Sequence, residues 1–360
     1  MPDEGPRAGD VSGEPGRPAR LRRGTTEHPD PGTREEANGG RELSPREHAE
    51  LVLDRPGLDL LDAIAAAAAG SLDAAIFFGS RSSGVATTAA SAYDLMLVCE
   101  RPGAFYRAMS RAGYLHRSPV LLGLLDGLLP PTQIRLVHGA GLVKASVLSL
   151  AAFQRATSAA RRDQFVAGRL FQDVHVVWVG SPEAARQVED AIDSARRVTL
   201  DWVAPDLPAR FSVSEYVRQL FRTSFRFEVR PETGGRADAL FDAQAGRLVP
   251  AFEGVLSDLA AEGRLRVAEG GAFSLPEPPS RGRILRRRLY LEWSRVRATA
   301  RWPKHAVTFD GWLDYILRKA ERHSGETIVL TPLERRFPLL LLWPKIFKFL
   351  ARQRGKGRPV

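Results

Sequence analysis

The chain has 360 residues, 44% of them hydrophobic and 26% charged, which fits one large or two ordinary globular domains in water. Its single cysteine, Cys99, excludes an intramolecular disulfide framework, and no Cys/His cluster has zinc-ligand spacing, so a reducing compartment and no structural metal are expected. The net charge of +10 is unevenly placed: from Arg281 onward 20 Lys/Arg face 6 Asp/Glu, leaving the first 280 residues at −4.

Residues 1–43 are rich in Pro, Gly, Arg and Glu and hold almost nothing apolar, so they cannot offset the entropy of folding and are expected to be a disordered tail. Asp3, Glu4 and Asp10 argue against a secretory signal or a transit peptide. Folded structure is expected from "SPRE", where Ser44 can cap a helix, Pro45 suits its first turn and Glu47 completes a capping box. A second helix is predicted over 58–69, strands over 74–79 and 92–98, and a helix over 105–112. "TQIRLVH" and "LVKASVLSL" read as a hairpin turning at Gly139-Ala140-Gly141. After helical stretches near 150–168 comes a strand at 174–180, which completes an α/β domain over 44–180. A mainly helical domain is predicted over 181–275, followed by a Pro-rich linker, "LPEPPSRGR", and a basic C-terminal segment over 276–360.

The stretch "FFGSRSSGVATTAASAYDLMLV" carries the chemistry. A glycine and a serine directly after a buried strand let a phosphate approach the backbone, although the same dipeptide also makes an ordinary turn. Asp94 interrupts an otherwise apolar strand, where a carboxylate costs free energy unless it is paired, metal-bound or at an exposed edge. Gly-Ser on one strand and an acid on its neighbour is the layout of the nucleotidyltransferase fold. A second acid two residues on would share Asp94's face, but Met96 stands there.

Further segments match in order over roughly residues 70–350. "DLMLVCERP" holds Asp94, Glu100 and Pro102, "GLVKASVLS" holds Lys144, "FVAGRLFQDVHVV" holds Gly168 and Arg169, and "TSFRFEVRPE" holds Glu228 and Arg230. In these the chain resembles the mitochondrial-type phosphatidate cytidylyltransferases, the translocator assembly and maintenance protein family. It departs at Arg81, where the family usually has glycine, and at Phe227-Glu228, where Gly-Asp is usual. The resemblance implies a nucleotidyltransferase-fold mixed sheet flanked by helices, Mg²⁺ as cofactor, and CTP and phosphatidic acid as substrates giving CDP-diacylglycerol and pyrophosphate. It further implies that Gly79, Ser80, Arg81 and Arg230 bind nucleotide. Asp94 with Glu228 or Glu100 would hold the metal, and Lys144 and Arg169 would neutralise developing charge.

Each residue also has a plainer reading. Lys144 could be an outer-face lysine on a strand, Arg169 could compensate a helix dipole, and Glu100 could be an exposed turn residue. His138 and His175 lie in apolar strands with no acid at catalytic spacing and read as structural. "LLLLWPKIFKFL" with its cationic flank has interfacial composition, so Trp343, Lys345, Phe347, Lys348 and Phe349 are expected to meet an anionic membrane surface. The expected location is cytoplasmic, peripheral on the inner face of a membrane. No nucleic-acid partner is expected, because no helix-turn-helix, RNA-binding or zinc-finger pattern accompanies the charge. Two other readings stay open: a nucleotidyltransferase with another acceptor, and a non-catalytic scaffold of the same fold.

Overall fold

Ser44 caps the first helix, α1 (Pro45–Val52): its hydroxyl accepts from the Glu47 N–H at 3.3 Å, and the Glu47 carboxylate accepts from the Ser44 N–H at 2.8 Å. This computed structural model describes residues 43–84, 91–227, 235–314, 317–318, 321, 329–336 and 341. Helix α2 (Arg55–Ala68) begins three residues before the predicted start, because Asp54 caps it by accepting from the Gly57 N–H at 3.1 Å and Pro56 fits the first turn. Strands β1 (Ala74–Phe78) and β2 (Tyr93–Cys99) follow, then α3 (Pro102–Arg111), whose start is again set earlier by proline. Helix α4 (Pro119–Leu128) was not foreseen. Its sequence, PVLLGLLDGL, is apolar on nearly every side and carries two glycines, so it offers no 3.6-residue alternation to read.

The predicted hairpin forms as β3 (Thr132–His138) and β4 (Gly141–Ser149), with His138 opposite Gly141. After α5 (Leu150–Thr157) and the short α6 (Ala167–Leu170), strand β5 (His175–Val179) completes a five-stranded mixed sheet in the order β3-β4-β2-β1-β5. Only β2 and β4 run parallel; the other pairs are antiparallel. The helices α7 (Pro182–Arg197), α8 (Leu200–Val203), α9 (Val213–Phe227) and α10 (Arg236–Ala261) come next. A two-stranded ribbon, β6 (Arg266–Val267) with β7 (Phe273–Ser274), precedes the long α11 (Arg281–Thr308); α12 (Pro332–Arg336) is short.

Strand alternation gives the sheet two buried faces. Ala75, Phe77, Leu95, Leu97 and Cys99 pack against α1–α3 through Ala49, Leu60, Ile64 and Phe105. Ala74, Ile76, Phe78, Met96 and Val98 pack against the later helices through Val188, Trp202, Phe221 and Phe252. The helices of 181–275 therefore share a core with the sheet, and the described residues from Leu43 onward belong to one compact unit. Met96 is fully buried in that core, which explains why the position two after Asp94 is apolar: a carboxylate there would face side chains, not solvent.

Part of the C-terminal basicity serves packing. On α11, Arg301 is 2% exposed and Lys304 7% exposed. Arg301 donates to Asp163 at 2.9 Å and to the Pro130 carbonyl at 2.6 Å, while the Lys304 ammonium donates to the Leu129 and Pro131 carbonyls at 2.6 and 3.1 Å. These bonds hold α11 along the edge strand β3, where the Thr308 hydroxyl donates to the Gln133 carbonyl at 2.6 Å. Among the described residues no helix is long and apolar enough to cross a membrane.

Candidate functional site

β1 ends at Phe78, and the chain leaves the sheet through Gly79 at φ +91°, a conformation that L side chains rarely adopt. Phe78 pairs with Asp94 on one side of β2, and Asp94 is level with Lys144 on the other. Lys144 in turn faces Arg135 across the hairpin, so Phe78, Asp94, Lys144 and Arg135 form one row across four strands. The Lys144 Nζ lies 3.5 Å from Asp94 Oδ1, and both side chains are about a quarter exposed. A Cβ at Gly79 would stand 2.6 Å from Asp94 Oδ2. Glycine is thus required twice at this position, by its backbone angle and by the approach of the carboxylate.

The turn after Gly79 is closed by Ser83, whose N–H and hydroxyl both reach the Gly79 carbonyl at 3.1 Å, and Ser80 sits half-buried within it. Arg81, expected to bind nucleotide, is engaged within the fold. Its guanidinium donates to the Ser91 carbonyl at 2.7 Å, pairs with Asp54 at 2.7 Å and stacks 4.1 Å over the Tyr93 ring. Tyr93 also donates to Asp54. Arg81 therefore ties residues 81 and 91 to the cap of α2.

Arg169, on α6, bends back to donate to the Phe165 carbonyl, its guanidinium 3.7 Å over the Phe165 ring. Arg301 packs against the same ring at 4.7 Å. His305 of α11, which no local pattern marks, lies within electrostatic reach of Lys144, Lys304, Arg301 and Arg169. Its proton affinity is pushed far down by burial and then by Lys144, Lys304, Arg301 and Arg169, so the imidazole is neutral, and its Nε2 is buried with no hydrogen-bond partner among the described residues. Arg135 was missed as well, though the hairpin register places it opposite Lys144.

Glu100 does not belong here. It follows the other end of β2, six residues or about 20 Å from Asp94. Its side chain is 76% exposed beside Arg101, as a turn residue would be. Glu228 and Arg230 lie outside the described residues, as do Trp343, Lys345, Phe347, Lys348 and Phe349.

Mg²⁺ takes six oxygens in near-ideal octahedral geometry, usually from one or two carboxylates together with water and substrate phosphates. Asp94 brings one carboxylate, already facing Lys144, and no group of three or more His, Cys, Asp or Glu that could hold a metal ion occurs among the described residues. One carboxylate is within what Mg²⁺ uses alongside water and substrate phosphates, and Glu228, the second acid expected at the metal, lies outside the described residues. The row also suits an anion, with two cations on the sheet, Lys144 and Arg135, and a glycine turn at the strand end. The chain matches no protein-family model, and no curated protein matches its sequence.

A second polar chain adjoins the turn. Ser82 donates to the Asp173 carbonyl at 3.2 Å, Arg247 holds the Asp173 carboxylate at 2.7 Å, and His175 lies 3.7 Å from that carboxylate and 3.0 Å from His48. His175, expected to be structural for want of an acid at catalytic spacing, thus has a carboxylate and a second imidazole beside it. Burial lowers its pKa to about 4, with Asp173 opposing and His48 and Arg247 adding to the shift. Between pH 4 and 6.5 the unfolded chain therefore takes up a proton that the folded chain refuses. The resulting stability is complete above pH 6.5 and is lost as pH falls, by about 3 kcal/mol at pH 4. Asp126, raised to about 6 by burial, works in the opposite sense over the same range. The measurable quantity is thus a difference. In urea titrations the advantage of the native protein over His175→Gln should shrink by about 3 kcal/mol from pH 7 to pH 4, and a pH-independent difference would contradict the assignment.

Proposed function

We propose that the chain is a CTP:phosphatidate cytidylyltransferase with a nucleotidyltransferase fold, acting on the cytoplasmic face of a membrane. The observation that carries the reading is the approach of Gly79 to Asp94 with Lys144 on the far side, all at one end of a mixed sheet. The sequence resemblance supplies the choice of CTP and of a lipid phosphate. Mg²⁺ enters as the counter-ion that a nucleoside triphosphate carries.

In this reading a phosphate oxygen of phosphatidic acid forms a bond to the α-phosphorus of CTP while the bond to the β-phosphate oxygen breaks and pyrophosphate leaves. A phosphate dianion is already a nucleophile, so the protein has to align two anions and screen their repulsion. Gly79 and Ser80 would receive the triphosphate on the turn, and Lys144 and Arg169 would screen it, with Arg135 beside them on the sheet. Asp94 would hold the Lys144 ammonium in place until phosphate competes for it, and the neutral His305 would offer a proton or a lone pair without adding a charge.

The pairing of Asp94 with Lys144 also favours a second reading, a phosphate-binding module that does not transfer. Labelled CTP, Mg²⁺ and phosphatidate-containing vesicles separate the two. CDP-diacylglycerol and pyrophosphate are expected in equal amounts. CTP binding with no pyrophosphate release would sink the transferase reading.

A further inference from the structure

The outward side of α11 carries an apolar row that nothing in the chain's described residues covers. Leu285, Leu289, Trp293 and Val296 are 57, 62, 55 and 56% exposed. Helix geometry puts them within an arc of roughly 80°. Leu291 and Ser294 are buried on the opposite side of this stretch, and Arg301, Lys304 and Thr308 are buried further along the helix, where it packs on the sheet edge. The row is bordered by Arg281, Arg288 and Glu292 on one flank, Glu292 pairing with Arg295 at 3.3 Å, and by Arg286 on the other; the three arginines are exposed.

Charge selects the occupant. From Arg281 to Thr308 nine Lys/Arg stand against one acid, Glu292. A second copy of α11 would bring like charge to like charge. The chain's own residues 337–360 would do the same, since they hold six Lys/Arg and no acid. The comparable row on α4 (Val120, Leu124, Leu128) has no Lys or Arg within its helix, so it lacks this signature. An apolar row containing a tryptophan between arginine borders suits the boundary between acyl chains and anionic headgroups.

We propose that the Leu285–Val296 face of α11 lies in the surface of an anionic bilayer and seats the protein there. The assignment rests on the lipid-acceptor reading for its purpose, whereas its geometry does not depend on the reaction. It also shifts the expected membrane contact from residues 343–349 alone to a helix anchored on the sheet by Arg301 and Lys304.

The test is sedimentation of the full chain with phosphatidylcholine vesicles containing phosphatidylglycerol, without phosphatidic acid and without CTP. The native chain should bind these vesicles and not pure phosphatidylcholine. Leu289→Glu/Trp293→Glu should bind at least about tenfold more weakly. Arg286→Ala/Arg288→Ala should lose affinity by a smaller factor and more steeply in salt. CTP binding should be unchanged in both variants, so loss of the face is distinguishable from loss of the nucleotide site. If the glutamate pair fails to fold, Leu289→Ser/Trp293→Ser replaces it with the same expectation. Two outcomes overturn the proposal: undiminished vesicle binding by these variants while truncation after Arg336 abolishes it, or a native dimer by light scattering that the same substitutions dissociate.

Discussion

In the cytidylyl-transfer assay, Asp94→Asn is expected to slow CDP-diacylglycerol formation by on the order of 10³ while leaving the thermal midpoint nearly unchanged. Asparagine is isosteric, so the row across the four strands survives, and the ion pair it removes is partly exposed and worth at most about 1 kcal/mol. What disappears is the carboxylate that orients Lys144. Gly79→Ala should reproduce the loss with Asp94 intact, because the new Cβ would stand 2.6 Å from Oδ2 and must displace either the turn or the acid. A defect in Asp94→Asn with full activity in Gly79→Ala would mean that the turn plays no part in the site.

The largest effect on stability is expected at Asp163. This carboxylate is 8% exposed and accepts from Arg297 at 2.7 Å, from Arg301 at 2.9 Å and from the Phe165 N–H at 3.0 Å. Burial alone would raise its pKa, but the two guanidinium groups outweigh that and hold it below the usual carboxylate range. Asp163→Ala leaves the buried Arg301 donating only to the Pro130 carbonyl among the described residues and should destabilise the fold by about 3 to 5 kcal/mol in denaturant titrations. The damage should reach the site, since Asp163 also fixes the approach to α6 and the Phe165 ring on which Arg169 and Arg301 lie. Arg301→Met, which removes the charge that needs a partner, should cost less. Equal costs would mean that cavity formation, not an unpaired charge, dominates.

The parts of the fold that depend on neighbouring residues were readable. Ser44 and Glu47 cap α1, the alternation in TQIRLVH and LVKASVLS makes a hairpin, and Gly79 ends a strand, each within a few residues of its cause. Contacts between distant segments were not readable. The partners that hold Arg81, namely Asp54, Ser91 and Tyr93, lie 27, 10 and 12 positions away. His305 had no local feature to mark it, and only the packing of α11 brings it near Lys144 and Arg169. Glu100 was linked to Asp94 by closeness in sequence, but an extended strand turns six positions into about 20 Å. Met96 looked like a lost ligand and is a core residue.

The central claim is that the Gly79 turn, Asp94 and Lys144 form a triphosphate site. Calorimetric titration with CTP and Mg²⁺, without lipid, tests it most directly. The native chain should bind one CTP saturably. Lys144→Met should weaken binding by about tenfold or more, as expected for a lost charge-assisted hydrogen bond, and Gly79→Ala should weaken it too. No CTP binding by the native chain, or an unchanged isotherm in both variants, would contradict the account.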